Sequence, residues 1–487
     1  MARSPKVAAP FLYDFSTQVI TRGVISLPWP KTSRQIGNLG VRSSSRLSFN
    51  PSLALTAMPR SNDEAKGPLF TYNWIDGVEP LEKYRPGGYH PIMIGDLLHE
   101  RYRIVDKLGF GGYSTVWLAR DTCLERYVAV KVGIAESNLR EPAILRALSA
   151  PSTSSWPASW GRRSVPVLLD EFDVNGPNGS HRCYTTTPAR CDLREVSFSR
   201  LFPLEVARAL SGGLAMAIAY MHSQGYAHGD VHLRNVLVKL PSNFDHLSIN
   251  QLYDQYGEPE TVPITKREGG ALPWNIPPKA VLPIYLGKNA EDFTLSDVHV
   301  LLNDFGEAFA PGLETRQGQD CHTPLAVRPP EALFEPQLPL SYSADIWSLA
   351  TTIWEILGMK ALFSSEYTSA EEIVSQQIDV LGPIPLSWWE CWEERNQFFD
   401  ENGHPKVGRY VWPPIDQAFD EGVQEYRRKL KAGEFDQEES AAILDLMRRM
   451  LAFQPEERPT AGEILQSEWM VKWVLPGLNR SLQQDGA

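Results

Sequence analysis

The chain of 487 residues is 43% hydrophobic and carries a formal net charge of −12. That length exceeds one average domain and suits two packed lobes with extensions. The acidic net charge disfavours generic nucleic-acid binding. The sequence contains no run of about 18 apolar residues, so it predicts no membrane-spanning helix. Five scattered cysteines are typical of reduced thiols in an intracellular protein.

The start of the chain differs in charge from the rest. Residues 1–60 are rich in Ser and Arg and contain one acid, Asp14, so the remainder is strongly acidic and would attract basic partners. This composition favours a disordered basic extension over residues 1–70, with a mitochondrial transit peptide as the alternative. No apolar segment of the secretory type follows the basic start, and we expect the protein in the cytoplasm, the nucleus or both.

Short runs of β-branched and aromatic residues, separated by turns, begin near residue 100 and predict an antiparallel sheet. A helix is predicted around 138–149, where Ile144, Leu145 and Leu148 share one face. Beyond residue 200 the spacing is mostly helical, as in the apolar segment that follows Pro203. The expected fold class is α+β, with a small antiparallel β lobe that contains one main helix and a larger, mainly helical lobe.

The predicted N-lobe spans residues 71–190, the C-lobe 191–476 and a tail 477–487. Within the C-lobe, residues 241–297 separate two strand-like runs and are rich in Pro, Gly and charge. So long an irregular connection is normally either functional or disordered. Residues 380–440 carry a tryptophan cluster and a charged amphipathic stretch, which predict a folded elaboration of the C-lobe.

A glycine cluster between the first predicted strands is the first sign of chemistry. Glycines let the backbone N–H groups of a hairpin approach phosphate oxygens because no Cβ intervenes. Leu108 and Val116, together with Ala129 on the next strand, are expected to sandwich an adenine. The residues predicted to cover the nucleotide are Leu108, Gly109, Phe110, Gly111, Gly112, Tyr113, Ser114, Thr115 and Val116.

Lys131 ends an apolar strand-like run that follows the glycine cluster. Such a lysine is otherwise an edge or snorkelling residue, but after a glycine hairpin it is predicted to bind the α- and β-phosphates. A carboxylate should hold it in place from the next helix. Glu141 is the first candidate for that role and Glu136 the alternative.

The stretch His228-Gly229-Asp230-Val231-His232-Leu233-Arg234-Asn235 follows a predicted helix and precedes a strand. Phosphoryl transfer from ATP needs an acceptor for the hydroxyl proton and a metal ligand at a short fixed distance. Asp230 and Asn235 match these roles, and Asp304 in Asp304-Phe305-Gly306 matches the second metal ligand. The cofactors expected from this pattern are ATP and Mg²⁺.

Two features further along the chain support the same pattern. Arg328-Pro329-Pro330-Glu331 would end a segment that positions a protein substrate, and Glu331 could pair with Arg458. Ser343-Ala344-Asp345-Ile346-Trp347 begins a strongly apolar helix. Each could be an ordinary salt bridge or core residue by itself, but together with the catalytic motifs they are structural signatures.

These residues resemble the eukaryotic protein kinase superfamily over about residues 100–476. Gly87-Gly88-Tyr89-His90-Pro91, Ile94-Gly95-Asp96-Leu97 and Ser114 followed by Thr-Val-Trp resemble the SR-protein-specific kinases, in a divergent, fungal-type form. That family also has an insert between the catalytic-loop Asn and the Asp-Phe-Gly segment, which here is 241–297. The resemblance implies a two-lobed Ser/Thr protein kinase, for which Arg/Ser-rich substrates are plausible.

Three residues depart from the pattern of most Ser/Thr kinases. His232 stands where a lysine neutralises the γ-phosphate, so Arg234 is predicted to supply that charge, with His232 as a second contributor. Gly229 replaces the arginine that anchors a phosphorylated activation segment, which predicts constitutive activity. Thr323 lies one residue further from Glu331 than usual, so a hydrogen bond from it to Asp230 is not expected.

Two other functions stay open at this point. The string His-Gly-Asp-Val-His also resembles aminoglycoside and choline kinases, which phosphorylate small molecules on a related fold but lack the Arg-Pro-Pro-Glu segment. A pseudokinase scaffold is the non-enzymatic alternative, and His232 motivates it. The expected partners are protein substrates, and we expect a monomer without nucleic-acid or membrane partners.

Overall fold

The computed structural model describes residues 71–137, 139–149, 161–241, 243–364 and 368–484, so the predicted basic extension lies outside the described residues. The N-lobe strands are β1 (Leu97–Leu98), β2 (Tyr102–Gly111), β3 (Ser114–Asp121), β4 (Arg126–Gly133), β5 (Leu168–Gly176) and β6 (Gly179–Thr186). They form one antiparallel sheet in the order β1-β2-β3-β4-β6-β5. The predicted small antiparallel lobe is thereby confirmed.

Helix α1 (Glu141–Ser149) packs beside this sheet in the N-lobe. It buries Ile144, Leu145 and Leu148, the three residues that the sequence pattern placed on one face. The helix begins later than the predicted position 138. Pro142 explains the start, because a proline lacks an N–H and is tolerated only in the first turn of a helix.

The C-lobe is mainly helical, as predicted. Its short strands are β7 (Ala189–Asp192), β8 (Val236–Lys239), β9 (Thr261–Pro263), β10 (Lys279–Val281) and β11 (Val300–Leu302). Its helices are α2 (Leu193–Ser197), α3 (Leu204–Ser223), α4 (Ile249–Tyr256), α5 (Glu331–Phe334), α6 (Tyr342–Leu357), α7 (Ala370–Leu381), α8 (Leu386–Cys391), α9 (Arg395–Phe398), α10 (Ile415–Phe419), α11 (Glu425–Leu430), α12 (Gln437–Met450), α13 (Ala461–Leu465) and α14 (Leu475–Gln484).

Helices α3 and α6 form the centre of the C-lobe core. Helix α3 is long and apolar enough to cross a membrane, but 78% of its apolar window is buried inside the fold. Gly212 and Gly213 lower the intrinsic stability of this helix, and close packing explains why glycine is present at both positions. A Cβ at Gly212 would collide with Val474, and one at Gly213 would press on Val300.

Two predictions about the second half of the C-lobe can be compared with the structure. The predicted tail 477–487 is helical as far as Gln484, and α14 packs on α3 through Leu478. Over 380–440 the predicted folded elaboration is present, because Trp388 and Trp392 are buried in one apolar cluster. The C-lobe therefore continues past the predicted boundary at residue 476.

The described residues of the insert, 241 and 243–297, are folded. Its helix α4 buries Leu252 against Val105 and Leu118 of the N-lobe sheet. The Asp245 carboxylate accepts a hydrogen bond from the Tyr127 N–H at 2.7 Å. Strands β9 and β10 pair with each other, and the residues around them pack with the segment that precedes β1. The insert thus forms an outer layer of the N-lobe, where composition alone left function and disorder as alternatives.

Candidate active site

The glycine cluster forms the hairpin that the sequence predicted. Strands β2 and β3 pair Gly109 with Val116 and Gly111 with Ser114, which leaves Gly112 and Tyr113 as the turn. An added Cβ at Gly109 or Gly111 would meet no atom within 4 Å. The backbone therefore faces open space, which is what a phosphate group would require.

The side chains of the hairpin divide between the two faces of the sheet. Val116 lies opposite Lys131 on β4, and Ala129 lies two residues before Lys131, so the three share one face. Thr115 is buried on the other face, where its hydroxyl accepts a hydrogen bond from Trp117 Nε1 at 2.9 Å. Only the backbone of Thr115 can therefore serve the predicted nucleotide site. Leu108 is partly buried against the cluster formed with the insert.

Lys131 is held by two carboxylates. Its Nζ lies 2.5 Å from Glu141 Oε1 and 3.4 Å from Asp304 Oδ1. Tyr184, which the sequence reasoning missed, donates its hydroxyl to Glu141 Oε2 at 2.6 Å. The structure thus brings Glu141, the preferred candidate, to the lysine. The backbone N–H of the alternative, Glu136, bonds to Gly87 O.

Electrostatic interactions within this cluster keep Lys131 and Asp304 ionised. Burial works against the charge on Lys131, but Tyr184, Glu141 and Asp304 raise the lysine's pKa well above its usual value. In return, Lys131 lowers the pKa of the Asp304 carboxyl. The cation and the Asp304 carboxylate are therefore both present at neutral pH.

The catalytic loop between α3 and β8 is anchored from α6. The buried Asp345 carboxylate accepts hydrogen bonds from the N–H groups of His228 at 2.7 Å and Gly229 at 2.8 Å, and from His222 Nε2 at 2.9 Å. Burial opposes ionisation, but the hydrogen bond from His222 lowers the pKa of Asp345. The sequence marked Asp345 only as part of an apolar helix, although an acid among apolar residues in the first turn of such a helix is a signal for a buried, hydrogen-bonded role.

Asp230 has one carboxylate oxygen engaged and one free. Asn235 Nδ2 donates to Asp230 O at 2.9 Å and to Oδ2 at 3.1 Å, and His232 Nε2 lies 3.3 Å from the same Oδ2. Oδ1 is buried and has no hydrogen-bond partner among the described residues. A buried acceptor without a donor is costly. The Asp230 side chain as a whole is 18% exposed, so the carboxylate can still be approached from outside.

The amide of Asn235 and the carboxylate of Asp304 offer oxygen atoms of the kind Mg²⁺ prefers. Because Asn235 uses Nδ2 to hold Asp230, its Oδ1 remains as an acceptor. Asp304 has a backbone φ of 60°, a strained conformation for a residue with a side chain. Within the described parts of the chain, no group of three or more His, Cys, Asp and Glu residues could hold a metal. This small donor set suits a metal that is also bound by phosphates.

The structure separates the two residues predicted to supply positive charge. His232 lies beside Asp230, as described above, whereas Arg234 is exposed. Among the described residues, no hydrogen bond or ion pair joins Arg234 to Asp230. Its electrostatic neighbour is Asp192, where Arg234 offsets part of the rise in pKa that burial causes.

The segment after Asp304 is held by contacts within the chain. Arg316 pairs with the Glu307 carboxylate and also donates to the Asp320 carbonyl at 3.2 Å. Gly229 has a φ of 76°, and a Cβ there would lie 2.7 Å from the Glu307 carbonyl oxygen. The close approach explains why a residue with a side chain is absent at 229.

Two sequence predictions about the substrate segment can be compared with the contacts. Thr323 donates its hydroxyl to Gly229 O at 2.8 Å, and Arg328 Nε donates to Thr323 O at 2.8 Å. As expected, no hydrogen bond joins the threonine to the Asp230 carboxylate among the described residues. Glu331 and Arg458 form the predicted pair through two hydrogen bonds of 2.8 and 2.7 Å.

Comparisons with known proteins agree with this geometry. The family described as "Protein kinase domain" matches residues 291–470. A serine/threonine protein kinase of Aspergillus fumigatus is 27% identical over 81% of this chain and 90% of its own length. The serine/threonine-protein kinase SRPK of Physarum polycephalum is 27% identical over 80% of this chain and 91% of its own length.

Two further comparisons are more limited. The human SRSF protein kinase 3 is 30% identical over 33% of this chain and 29% of its own length. The crystal structure of a kinase domain superposes with a TM-score of 0.52, covering 78% of this chain and 98% of that one. At 15% identity, this likeness shows the fold alone.

Proposed function

We propose that this chain, a protein kinase similar to the SR-protein kinases, transfers the γ-phosphate of ATP to serine and threonine hydroxyls of proteins. The observation that carries the proposal is the partly exposed Asp230 carboxylate, which is held by hydrogen bonds from Asn235 beside it. A proton acceptor and a metal ligand at this spacing are what phosphoryl transfer needs.

Each site residue then has a task. The hairpin covers the phosphates with its N–H groups, and Lys131, held by Glu141, binds the α- and β-phosphates. Asp304 and Asn235 would hold Mg²⁺, which when bound neutralises charge on the phosphates. Asp230 orients the substrate hydroxyl and accepts its proton. Val116 and Ala129, with Leu108 at the rim, would enclose the adenine.

We also propose Arg/Ser-rich protein segments as substrates. The net charge of −12 favours basic substrates over acidic ones. Relatives that carry the names SRPK and SRSF protein kinase support the same substrate class.

The two other functions explain less of the molecule. A scaffold would not need Lys131, Glu141 and Asp304 in contact or a free Asp230 oxygen. A small-molecule kinase would not need the segment that ends at Glu331 and is held by Arg458. We further propose that the protein acts as a monomer in the cytoplasm, the nucleus or both, without binding nucleic acid or membranes.

Transfer of labelled phosphate from ATP by the full-length chain tests the proposal. An Arg-Ser repeat peptide, a generic basic protein and an aminoglycoside are offered in parallel, with Asp304→Asn as the control. We expect phosphorylation of serine in the repeat peptide and none by the control. Transfer to the aminoglycoside alone would contradict protein kinase activity. No transfer together with no binding of ATP and Mg²⁺ would favour the scaffold.

A further inference from the structure

Three consecutive carbonyl groups at the tip of the glycine hairpin accept hydrogen bonds from outside the hairpin. Tyr89 donates its hydroxyl to Gly111 O at 2.7 Å, and Lys83 donates its Nζ to Gly112 O at 3.0 Å. The N–H of Ile134 donates to Tyr113 O at 2.9 Å. Two of these three donors belong to the segment at 79–89, which precedes the sheet.

The direction of these carbonyls matters for phosphate binding. In a planar trans peptide the C=O and the following N–H point in opposite directions. Fixing the carbonyls of Gly111 and Gly112 therefore also fixes the N–H groups of Gly112 and Tyr113. These N–H groups lie at the hairpin turn, where phosphate oxygens would approach.

The segment at 79–89 is itself rigidly placed. Gly87 has a φ of 86°, and a Cβ at Gly88 would collide with the Lys83 carbonyl, so only glycines allow this turn. The turn brings Lys83 Nζ to 5.9 Å from the centre of the Tyr89 ring. The buried Asn178 side chain donates to Tyr89 O at 2.7 Å and fixes the tyrosine from the β5–β6 turn.

The same segment also reaches the base of the hairpin and the approach to α1. Glu79 is buried and pairs with the fully buried Lys107 of β2. The carbonyls of Gly87 and Gly88 accept hydrogen bonds from Glu136 N at 2.9 Å and Ala135 N at 3.1 Å. One segment thus touches the hairpin at both ends and the connection that leads from Lys131 to Glu141.

We propose that Lys83 and Tyr89 are positioning residues that hold the turn of the glycine hairpin ready for the phosphates of ATP. They act through the carbonyls of Gly112 and Gly111 and do not touch the nucleotide themselves. The inference rests on the proposed ATP-dependent activity. It makes the segment before the sheet a working part of the nucleotide site.

The test compares Tyr89→Phe, Lys83→Met and Lys83→Arg in the full-length chain. KM for ATP and for the peptide, kcat, the thermal midpoint and the Kd of a fluorescent ATP analogue with Mg²⁺ are measured. We expect Tyr89→Phe and Lys83→Met each to raise KM and Kd for the nucleotide by about 2- to 10-fold, the loss of one hydrogen bond. KM for the peptide should stay constant, and Lys83→Arg should restore nucleotide binding.

Arg85→Met is the matched control, because it removes an exposed cation from the same segment and should change neither constant. Unchanged nucleotide constants in both test variants would overturn the inference. So would a parallel loss of peptide and nucleotide affinity with a lower thermal midpoint, which indicates a purely structural role. A wild-type chain that binds no ATP would instead refute the proposed function and, with it, the inference.

Discussion

The residues around Asp230 differ from what the sequence alone led us to expect. His232 contacts the Asp230 carboxylate, whereas Arg234, predicted to supply the positive charge, is exposed and interacts with Asp192. Charge within about 4 Å has a much larger effect on a reacting group than a distant, solvated charge. The side chain at 232 is therefore the better candidate for tuning the phosphoryl-transfer step.

A substitution series separates the two residues. We expect His232→Ala to lower kcat about 10-fold, which corresponds to about 1.4 kcal/mol of barrier, with little change in KM for ATP. His232→Lys should at least match the wild type, because it supplies a permanent charge. Arg234→Ala should have the smaller effect. A larger loss in Arg234→Ala than in His232→Ala would support the sequence-based assignment and contradict this one.

Asp106 is expected to make the stability of the N-lobe depend on pH. Burial raises the pKa of its carboxyl to about 7 from an ordinary value of 3.8. Between about pH 4 and pH 7 the folded state therefore binds more protons than the unfolded state, so Asp106 makes stability fall as the pH rises through this window. We expect Asp106→Asn to be more stable than the wild type above pH 7 and to lose that advantage near pH 4.

Denaturant unfolding at several pH values checks this expectation. The exposed Asp292→Asn serves as the matched control and should follow the wild type at every pH. A constant difference between Asp106→Asn and the wild type from pH 4 to pH 8 would show that Asp106 does not titrate in this range.

At the scale of elements, the segment between the Asp304 turn and Val327 is held by an ion pair between two of its own residues. The pair between Arg316 and Glu307 holds the segment close to Gly229, at the place where other kinases use an arginine of the catalytic loop to bind a phosphorylated residue. Thr315 and Thr323 are the only hydroxyl residues in the stretch 307–327, and Thr323 is buried. Only Thr315 is exposed enough to be phosphorylated.

From this arrangement we predict constitutive activity. We expect Thr315→Ala to keep wild-type kcat and phosphatase treatment to have no effect. Arg316→Gln should lower kcat at least 10-fold, about 1.4 kcal/mol, because the segment loses its anchor. The measurement is peptide phosphorylation by enzyme whose phosphorylation state is verified by mass spectrometry. Activity that depends on a phosphate at Thr315 would refute the prediction.

At the scale of the whole molecule, the insert and the N-lobe form one packed body. Leu252 of α4 is fully buried with Val105, Leu118 and Tyr127, and Tyr253 donates its hydroxyl to Val105 O at 2.8 Å. The Ile284 N–H donates to Lys107 O at 2.8 Å and covers part of β2. The insert should therefore contribute to the stability of the nucleotide-binding lobe.

Leu252→Ala tests this contribution. The cavity left by a buried leucine typically costs about 2 to 5 kcal/mol, so we expect a lower free energy of unfolding and faster hydrogen exchange in β2 and β3. Gln255→Ala, an exposed change on the same helix, is the control and should alter neither quantity. Wild-type exchange in β2 and β3 of the leucine variant would mean that the insert folds independently of the lobe.

The sequence by itself determined the two lobes and the order of the motifs, and it singled out Lys131, Glu141, Asp230, Asn235 and Asp304 as candidate site residues. These features depend on local chemistry, such as glycines in a hairpin, a proline at a helix start and fixed spacings along a loop. Only the tertiary structure decided that 241–297 packs on the N-lobe and that Asp345 anchors the catalytic loop. It also decided that Lys83 and Tyr89 reach the hairpin, because those contacts join residues that are distant in the chain and have no common sequence period.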